Sequence, residues 1–135
     1  KVLGLHEING DLYYFRRGGA YKYTQLGDMW QDSINYIDGK IYYFGHDGRA
    51  IKNRFYQWGN YWYYFYSDGS AATGAVQING QQLYFDKNHG RQVKGAFAPD
   101  GHYYDENSGE LVTNQTRTIK GVTYHFDENG NATKV

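Results

Sequence analysis

Aromatic side chains are the groups in this sequence best suited to recognition chemistry. The chain of 135 residues contains 16 tyrosines, 7 phenylalanines and 3 tryptophans. A tyrosine ring offers a flat apolar face to the C–H groups of a sugar, and its hydroxyl can hydrogen-bond at the rim. The rings recur in clusters, and the residue before the last aromatic of a cluster is a first candidate for a ring platform. These candidates are Tyr14, Tyr43, Tyr64 and Tyr84.

Catalytic and metal-binding chemistry has little support in the sequence. The acidic residues mostly occupy turn sequences, whereas a glycosidase needs two carboxylates at a defined separation in a cleft. The five histidines lie in different repeats without the spacing of metal ligands. Segments at Asp86 and Asp105 begin like calcium loops, but Phe97 and Thr116 stand where the twelfth-position glutamate is needed. We therefore expect turns there, with no catalytic residue, no metal site and no cofactor.

Composition favours a neutral partner. The 14 basic and 14 acidic residues give a formal net charge of zero, and the basic residues are scattered. Such a distribution lacks the electrostatic footprint of a protein that binds nucleic acid or an anionic membrane. There is no long apolar run and no export leader, so we expect an excised piece that does not span a membrane. Cysteine is absent, which excludes disulfides.

The elements that must position the rings are repeated hairpins. Aromatic clusters recur roughly every 20 residues, which is typical of a repeat architecture. They end at Phe15, Phe44, Phe65, Phe85, Tyr104 and Phe126. Each cluster follows a turn pair such as Asn9-Gly10, Asp38-Gly39, Asn79-Gly80 or Asp100-Gly101, which suits a type I′ tip with positive φ at both central residues.

Alternation after each tip places successive side chains on opposite faces. One face receives Tyr42 and Phe44, Tyr63 and Phe65, Leu83 and Phe85, and Tyr124 and Phe126. The other face receives the four candidate tyrosines and His125, and we expect part of it to stay open between units. Because a lone hairpin is marginal in water, each unit must bury its apolar face on its neighbours. The predicted fold is all-β, with tandem β-hairpin repeats stacked into a β-solenoid.

We predict a single repeat domain over residues 1–135. Its six predicted hairpin units cover 6–20, 35–53, 56–74, 76–95, 97–114 and 118–135. The stretch 21–34 breaks the period, and we interpret it as an irregular insertion that contains Trp30.

At these residues the sequence resembles the glucan-binding and cell-wall-binding repeats of Gram-positive proteins. That group includes the C-terminal glucan-binding domain of glucansucrases, choline-binding modules and clostridial toxin repeats. The run ATGAVQINGQQLYFDKNHGRQVKGAF, followed by YYDENSGELVTN, is similar to the glucansucrase type. The choline-binding type opens each repeat with Gly-Trp, whereas here Arg54, Ala75 and Ala96 stand at that position. Only Trp58 and Trp62 approach the pattern.

The resemblance implies sugar pockets at the junctions of consecutive units. Each would combine a tyrosine platform with a Gln, Lys or Thr from the following link. The first implied pocket comprises Tyr64, Gln77, Gln82 and Lys94, and the second comprises Tyr43, Lys52 and Trp58.

The leading hypothesis is a non-catalytic carbohydrate-binding module for a dextran-like α-glucan or another cell-surface polysaccharide. The resemblance implies that it is extracellular, secreted or cell-wall associated, and attached to a catalytic domain such as that of a glucansucrase. One alternative is anchoring to choline-bearing teichoic acid. A structural spacer is another, and a complete small hydrolase ranks last.

Overall fold

A computed structural model describes residues 4–16, 28–29, 33–45 and 48–135. For residues 4–6, 13–16, 28–29 and 33 it describes the backbone alone. Within these ranges the chain forms fourteen strands and no helix, so no described segment is a membrane-spanning helix. The strands are β1 (Gly4–Ile8), β2 (Asp11–Arg16), β3 (Asp28–Met29), β4 (Ser33–Ile37), β5 (Lys40–Phe44), β6 (Arg54–Trp58), β7 (Tyr61–Phe65), β8 (Gly74–Ile78), β9 (Gln81–Phe85), β10 (Ala96–Phe97), β11 (Tyr103–Tyr104), β12 (Gln115–Ile119), β13 (Val122–Phe126) and β14 (Ala132–Lys134).

The strands pair in sequence order as antiparallel hairpins. Hairpins 1 to 6 are β1–β2, β4–β5, β6–β7, β8–β9, β10–β11 and β12–β13. The prediction of an all-β fold of tandem hairpin repeats is confirmed. The first strands of hairpins 2, 3 and 4 begin at Ser33, Arg54 and Gly74, two residues before the predicted unit starts at 35, 56 and 76. The tip sets the register, and pairing then continues as far as the last aromatic of each cluster.

Three of the four predicted type I′ tips have the expected backbone. Asn9-Gly10, Asp38-Gly39 and Asn79-Gly80 have positive φ at both residues. This conformation matches the twist of the flanking strands, and Asn, Asp and Gly tolerate it. The tip of hairpin 3 is Gly59-Asn60, with the glycine first. Positive φ is confined to Gly59 in this pair, as in a type II′ turn.

The type I′ prediction is wrong at Asp100-Gly101, because positive φ occurs only at Gly101. The N–H of Gly101 donates to the carbonyl of Ala98 at 2.9 Å, which closes a turn around Pro99 and Asp100. Proline fixes φ near −65°, which suits the first central position of a type I turn and excludes type I′. The Asp100 carboxylate accepts a 2.6 Å hydrogen bond from the hydroxyl of Tyr104.

The tip of hairpin 6 places a lysine where an asparagine would fit better. Lys120 has a φ of 50°, beside Gly121 at 83°. A long side chain with a Cβ is strained in this left-handed region, whereas asparagine is tolerated. We expect Lys120→Asn to raise the free energy of unfolding by about 1 kcal/mol in urea titrations. Lys87→Asn is the matched control at a turn residue whose own φ is not positive, and equal effects of the two changes would contradict the explanation.

Short links after hairpins 2, 3 and 5 join each of these hairpins to the one before it. Ala50, Ala71 and Leu111 pair with the last aromatic residue of their own hairpins. Their N–H groups also donate, each at 2.8 Å, to the carbonyls of Leu12, Ile41 and Gln82 in the preceding hairpins. Backbone hydrogen bonds therefore connect hairpin 2 to 1, hairpin 3 to 2 and hairpin 5 to 4.

The predicted insertion contributes a third strand to hairpin 1. β3 pairs with β2, with Met29 opposite Phe15 and Asp28 opposite Arg16. The end of the insertion therefore supplies the third strand that the links supply elsewhere. Trp30, the aromatic residue of the insertion, lies outside the described residues.

The second glycine of several repeats lies against the link of the preceding repeat. Gly130 has a φ of 84°, and a Cβ there would lie 2.8 Å from a methyl carbon of Leu111. At Gly69 the nearest atoms belong to Leu12, Ala50 and Tyr42. Both the backbone conformation and the close approach thus favour glycine at these positions.

The chain divides into two compact units, 1–72 and 73–135. Aromatic rings fill the cores of both, and the last aromatic of each described cluster is buried. These residues are Phe44, Phe65, Phe85, Tyr104 and Phe126. In the first unit Ile41 and Tyr43 of hairpin 2 pack with Tyr63 and Phe65 of hairpin 3. In the second, Tyr84 packs with Tyr104, and Tyr103 packs with Phe126. The core therefore lies at the seams between consecutive hairpins.

Candidate functional site

The face that carries Tyr43 and Tyr84 is covered by the following hairpin. Tyr43 is 4% exposed, and its ring centre lies 4.7 Å from that of Tyr56. Tyr84 is 2% exposed, and its ring centre lies 5.8 Å from that of Tyr104. The expectation of open platforms is wrong for these two rings, because the following hairpin packs on each of them. Tyr43 contacts the exposed ring of Trp58, Tyr84 contacts buried Tyr104, and neither presents its own face to solvent.

Tyr64 remains half-buried at the surface of hairpin 3. Its ring centre is 4.8 Å from Phe55 and 5.6 Å from Tyr66, both in edge-to-face orientations. Burial raises the pKa of Tyr66, and the nearby Tyr64 and Asp68 raise it further. Tyr14 lies in β2, and its side chain is outside the described residues.

An exposed aromatic surface of the first unit lies at the tip of hairpin 3. Trp58 and Tyr61 are directly opposite each other and flank the turn, with 39% and 44% of their surfaces exposed. The ring centre of Trp58 is 6.2 Å from that of buried Tyr43. Tyr36 is also exposed, on the face of hairpin 2 that carries Tyr43. We call Trp58, Tyr61 and Tyr36 the tip surface, in which Trp58 rests on the buried ring of Tyr43.

Hairpins 5 and 6 form a second aromatic site, which the sequence analysis missed. Phe97 is 40% exposed, and its ring centre is 5.2 Å from both Tyr103 and Tyr124. These rings line a pocket of about 390 Å³. The other residues of this pocket are Gly95, Ala96, Ile119, Lys120 and Val122. We call it the Phe97 pocket.

A salt bridge connects the two hairpins that form the Phe97 pocket. Nη1 of Arg117, on β12, lies 2.9 Å from Oδ1 of Asp105, in the turn after β11. The other carboxylate oxygen accepts hydrogen bonds from the N–H groups of Asn107 and Ser108. The bonds from Ser108 and Asn107, together with Arg117, lower the pKa of Asp105 from 3.8 to about 2.

This carboxylate predicts a specific pH dependence of stability. Because the folded-state pKa lies below the unfolded value, the stabilisation is complete above about pH 4.5 and is lost as the pH falls through about 2. We expect Asp105→Asn to lower the free energy of unfolding at pH 7 by about 1 kcal/mol. The difference from the wild type should shrink between pH 4.5 and pH 2 in urea titrations. A constant difference over this range would contradict the assignment.

The predicted polar partners lie in the second unit. Gln77 and Gln82 are exposed and directly opposite each other in hairpin 4. Lys94 donates to the carbonyl of Asn107 at 3.3 Å. Tyr64, the platform predicted to complete this set, belongs to the first unit, and the grouping of all four stays a prediction.

Lys52, predicted to join Tyr43 and Trp58, contacts hairpin 1. Its Nζ donates to the carbonyl of Gly10 at 2.6 Å. It also lines a groove of about 320 Å³ in the first unit. Of the second predicted set, Tyr43 and Trp58 therefore lie together, whereas the ammonium group of Lys52 is held at the tip of hairpin 1.

The acidic segments that begin like calcium loops form turns, as predicted. Asp86 accepts a hydrogen bond from the N–H of His89, and Asp105 accepts those described above. Among the described residues no group of three or more His, Asp or Glu side chains could hold a metal ion. These carboxylates stabilise the backbone of their own turns.

Comparison with known families identifies the repeat. The choline-binding repeat matches residues 72–115, and the cell wall binding repeat matches residues 53–71 and 117–132. These matches run from hairpin 3 through hairpin 6. The chain belongs to the choline-binding and cell-wall-binding repeat family.

Relatives of this repeat family include much longer streptococcal proteins. Glucosyltransferase-S of Streptococcus mutans serotype c is 36% identical over 94% of this chain. Glucosyltransferase-I of Streptococcus downei is 42% identical over 97% of it. The chain spans only 10% and 8% of the lengths of these two relatives.

Solved structures of this repeat family share the fold. CbpF in complex with ipratropium matches 98% of this chain and 39% of its own, with a TM-score of 0.75 and 28% identity. Choline-binding protein F from Streptococcus pneumoniae, in another crystal form, matches 98% of this chain and 45% of its own. Its TM-score is 0.76 at 24% identity, which shows the fold alone.

Proposed function

We propose that the chain is a non-catalytic carbohydrate-binding module for a dextran-like α-glucan polymer. The observation that carries the proposal is the exposure of Trp58 and Phe97 on top of other aromatic rings. An exposed ring held by its neighbours loses little side-chain entropy when a sugar stacks on it. The tip surface and the Phe97 pocket each present such a ring, and each lies where consecutive hairpins meet.

Open aromatic surfaces suit a polymer better than a small molecule. A shallow site with a dissociation constant near 1 mM contributes about 4 kcal/mol. Two such sites on one glucan chain raise the apparent affinity by roughly a hundredfold to ten-thousandfold when both are engaged. The module would thus retain a long glucan and release short oligosaccharides.

The proposed setting is an extracellular or cell-wall-associated protein, with this module next to a catalytic domain. The two glucosyltransferase relatives support this setting, since the chain matches a small part of each. The described acidic side chains Asp86, Asp105 and Asp127 are engaged in turns, in agreement with a binding role. Binding near the catalytic domain would keep the glucan product close to the enzyme.

Choline is the second candidate ligand because three aromatic rings converge in the Phe97 pocket. Phe97, Tyr103 and Tyr124 offer ring surfaces to which a quaternary ammonium could bind by cation–π attraction. The choline-binding repeat match also includes Phe97 and Tyr103. Lys120, however, lines the same pocket, and its positive charge opposes a cationic ligand. A neutral sugar meets no such repulsion.

Affinity electrophoresis separates the two candidates. We expect the mobility of the intact chain in a native gel to fall when dextran is embedded in the gel. Excess choline should leave this retardation unchanged, and the chain should not require choline for elution from a quaternary-amine resin. Unchanged mobility in dextran and in other α-glucans would overturn the proposal, and choline-dependent elution would favour the second candidate.

A further inference from the structure

A groove in the first unit concentrates positive charge in a chain whose formal net charge is zero. Its lining includes three cationic residues, Arg49, Lys52 and Arg54, and one carboxylate, Asp11. The remaining described lining residues, Ala50, Ile51 and Asn53, are uncharged. This groove of about 320 Å³ contains no ring of the tip surface and no residue of the Phe97 pocket.

Each cationic side chain of the groove is held by a different contact. Nζ of Lys52 is 2.6 Å from the carbonyl oxygen of Gly10. The guanidinium carbon of Arg54 lies 5.4 Å from the ring centre of Tyr56, a cation–π arrangement. Nη1 of Arg49 lies 3.4 Å from Oδ2 of Asp11. These contacts restrict long side chains before any ligand arrives, which lowers the entropy cost of binding.

The contacts also leave the groove able to receive an anion. A lysine ammonium carries three N–H donors, so the bond to the Gly10 carbonyl occupies one of them. The Arg49–Asp11 pair is solvent-exposed, with 51% and 33% of the two side chains accessible. Such exposed pairs contribute little free energy, so an incoming anion can compete for the guanidinium. The ring of Tyr56 occupies the face of the Arg54 guanidinium, whereas N–H donors lie in the guanidinium plane.

We propose that this groove binds a phosphate group, either free or in a phosphodiester-linked polymer. Phosphate supplies several acceptor oxygens around one centre, which matches two guanidinium forks and an ammonium group. A neutral sugar gains less binding free energy than phosphate does from these three cationic side chains. The groove would thus give the module an anionic ligand in addition to the neutral glucan proposed for the aromatic surfaces.

The test is a titration of the intact ¹⁵N-labelled chain, followed by NMR. We expect sodium phosphate and poly(glycerol phosphate) to shift the backbone amides of residues 49–54 and the side-chain Nε–H signals of Arg49 and Arg54. Lys52→Gln and Arg54→Gln should each weaken binding about fivefold. Lys134→Gln, the matched control, removes the same charge from exposed β14 and should leave binding unchanged.

The two phosphate sources and the glucan proposal are distinguished in the same experiment. Tighter binding of poly(glycerol phosphate) than of free phosphate identifies the polymer as the preferred source, and equal affinity identifies the single anion. Retardation by dextran should persist in Arg54→Gln, so either proposal can fail without the other. Identical shifts with sodium chloride at equal ionic strength, or an equal loss in Lys134→Gln, would overturn the phosphate site.

Discussion

Trp58→Ala is expected to weaken retention by dextran about tenfold, since the variant loses the roughly 1.4 kcal/mol that burying the ring against a sugar contributes. Phe97→Ala should have a similar effect at the Phe97 pocket of the second unit. The double variant should lose about a hundredfold or more, because the free-energy losses at two independent sites add. Affinity electrophoresis over a series of dextran concentrations gives each dissociation constant.

Two further variants control this experiment. Trp58→Tyr keeps a ring at the position and should retain most of the affinity. Ile8→Ala removes another exposed apolar side chain beside a hairpin tip, but one without a ring, and should leave dextran binding unchanged. Equal losses in Ile8→Ala and Trp58→Ala would show that apolar area in general, and not ring stacking, holds the polymer.

Phe65→Ala is expected to lower the free energy of unfolding by about 3–5 kcal/mol, as large cavities in aromatic cores do. Phe65 has no exposed surface and packs at the seam between hairpins 2 and 3. Because one hairpin is marginal alone, a cavity at a seam removes support from both of its neighbours. Urea unfolding followed by tyrosine fluorescence measures the change.

Tyr61→Ala is the matched control for the core, since it truncates an exposed ring of the same strand. We expect it to cost less than about 1 kcal/mol. If Phe65→Ala cost no more than this control, the seams would not be the source of stability.

The repeat and its turns could be predicted from the sequence because they depend on local chemistry. Asn-Gly and Asp-Gly pairs determine tips, and tips determine register and the alternation of faces. Asp100-Gly101 differs because Pro99 occupies the turn position just before Asp100. Its ring fixes the φ of that position, which excludes a type I′ turn. That difference was also available in the sequence, as the only proline of the chain.

The exposed rings could not be predicted from alternation alone. Alternation places Tyr43 and Tyr84 on the second face, but it does not say that the next hairpin covers that face. Stacking buries the ends of the hairpins near the last aromatic, and several exposed apolar side chains flank the tips. Ile8, Trp58, Tyr61 and Val122 all lie beside a tip. Phe97 also lies beside a tip, but Tyr103 directly opposite it is buried, so a position beside a tip does not by itself determine exposure.

The central claim is that a glucan stacks on exposed rings at the junctions of hairpins. NMR titration of the intact chain with isomalto-oligosaccharides of increasing length tests it most directly. We expect saturable shifts of the Trp58 indole and of the Phe97 ring, with an affinity that rises with oligosaccharide length. Saturable binding that moves neither ring, or no binding at any length, would contradict it.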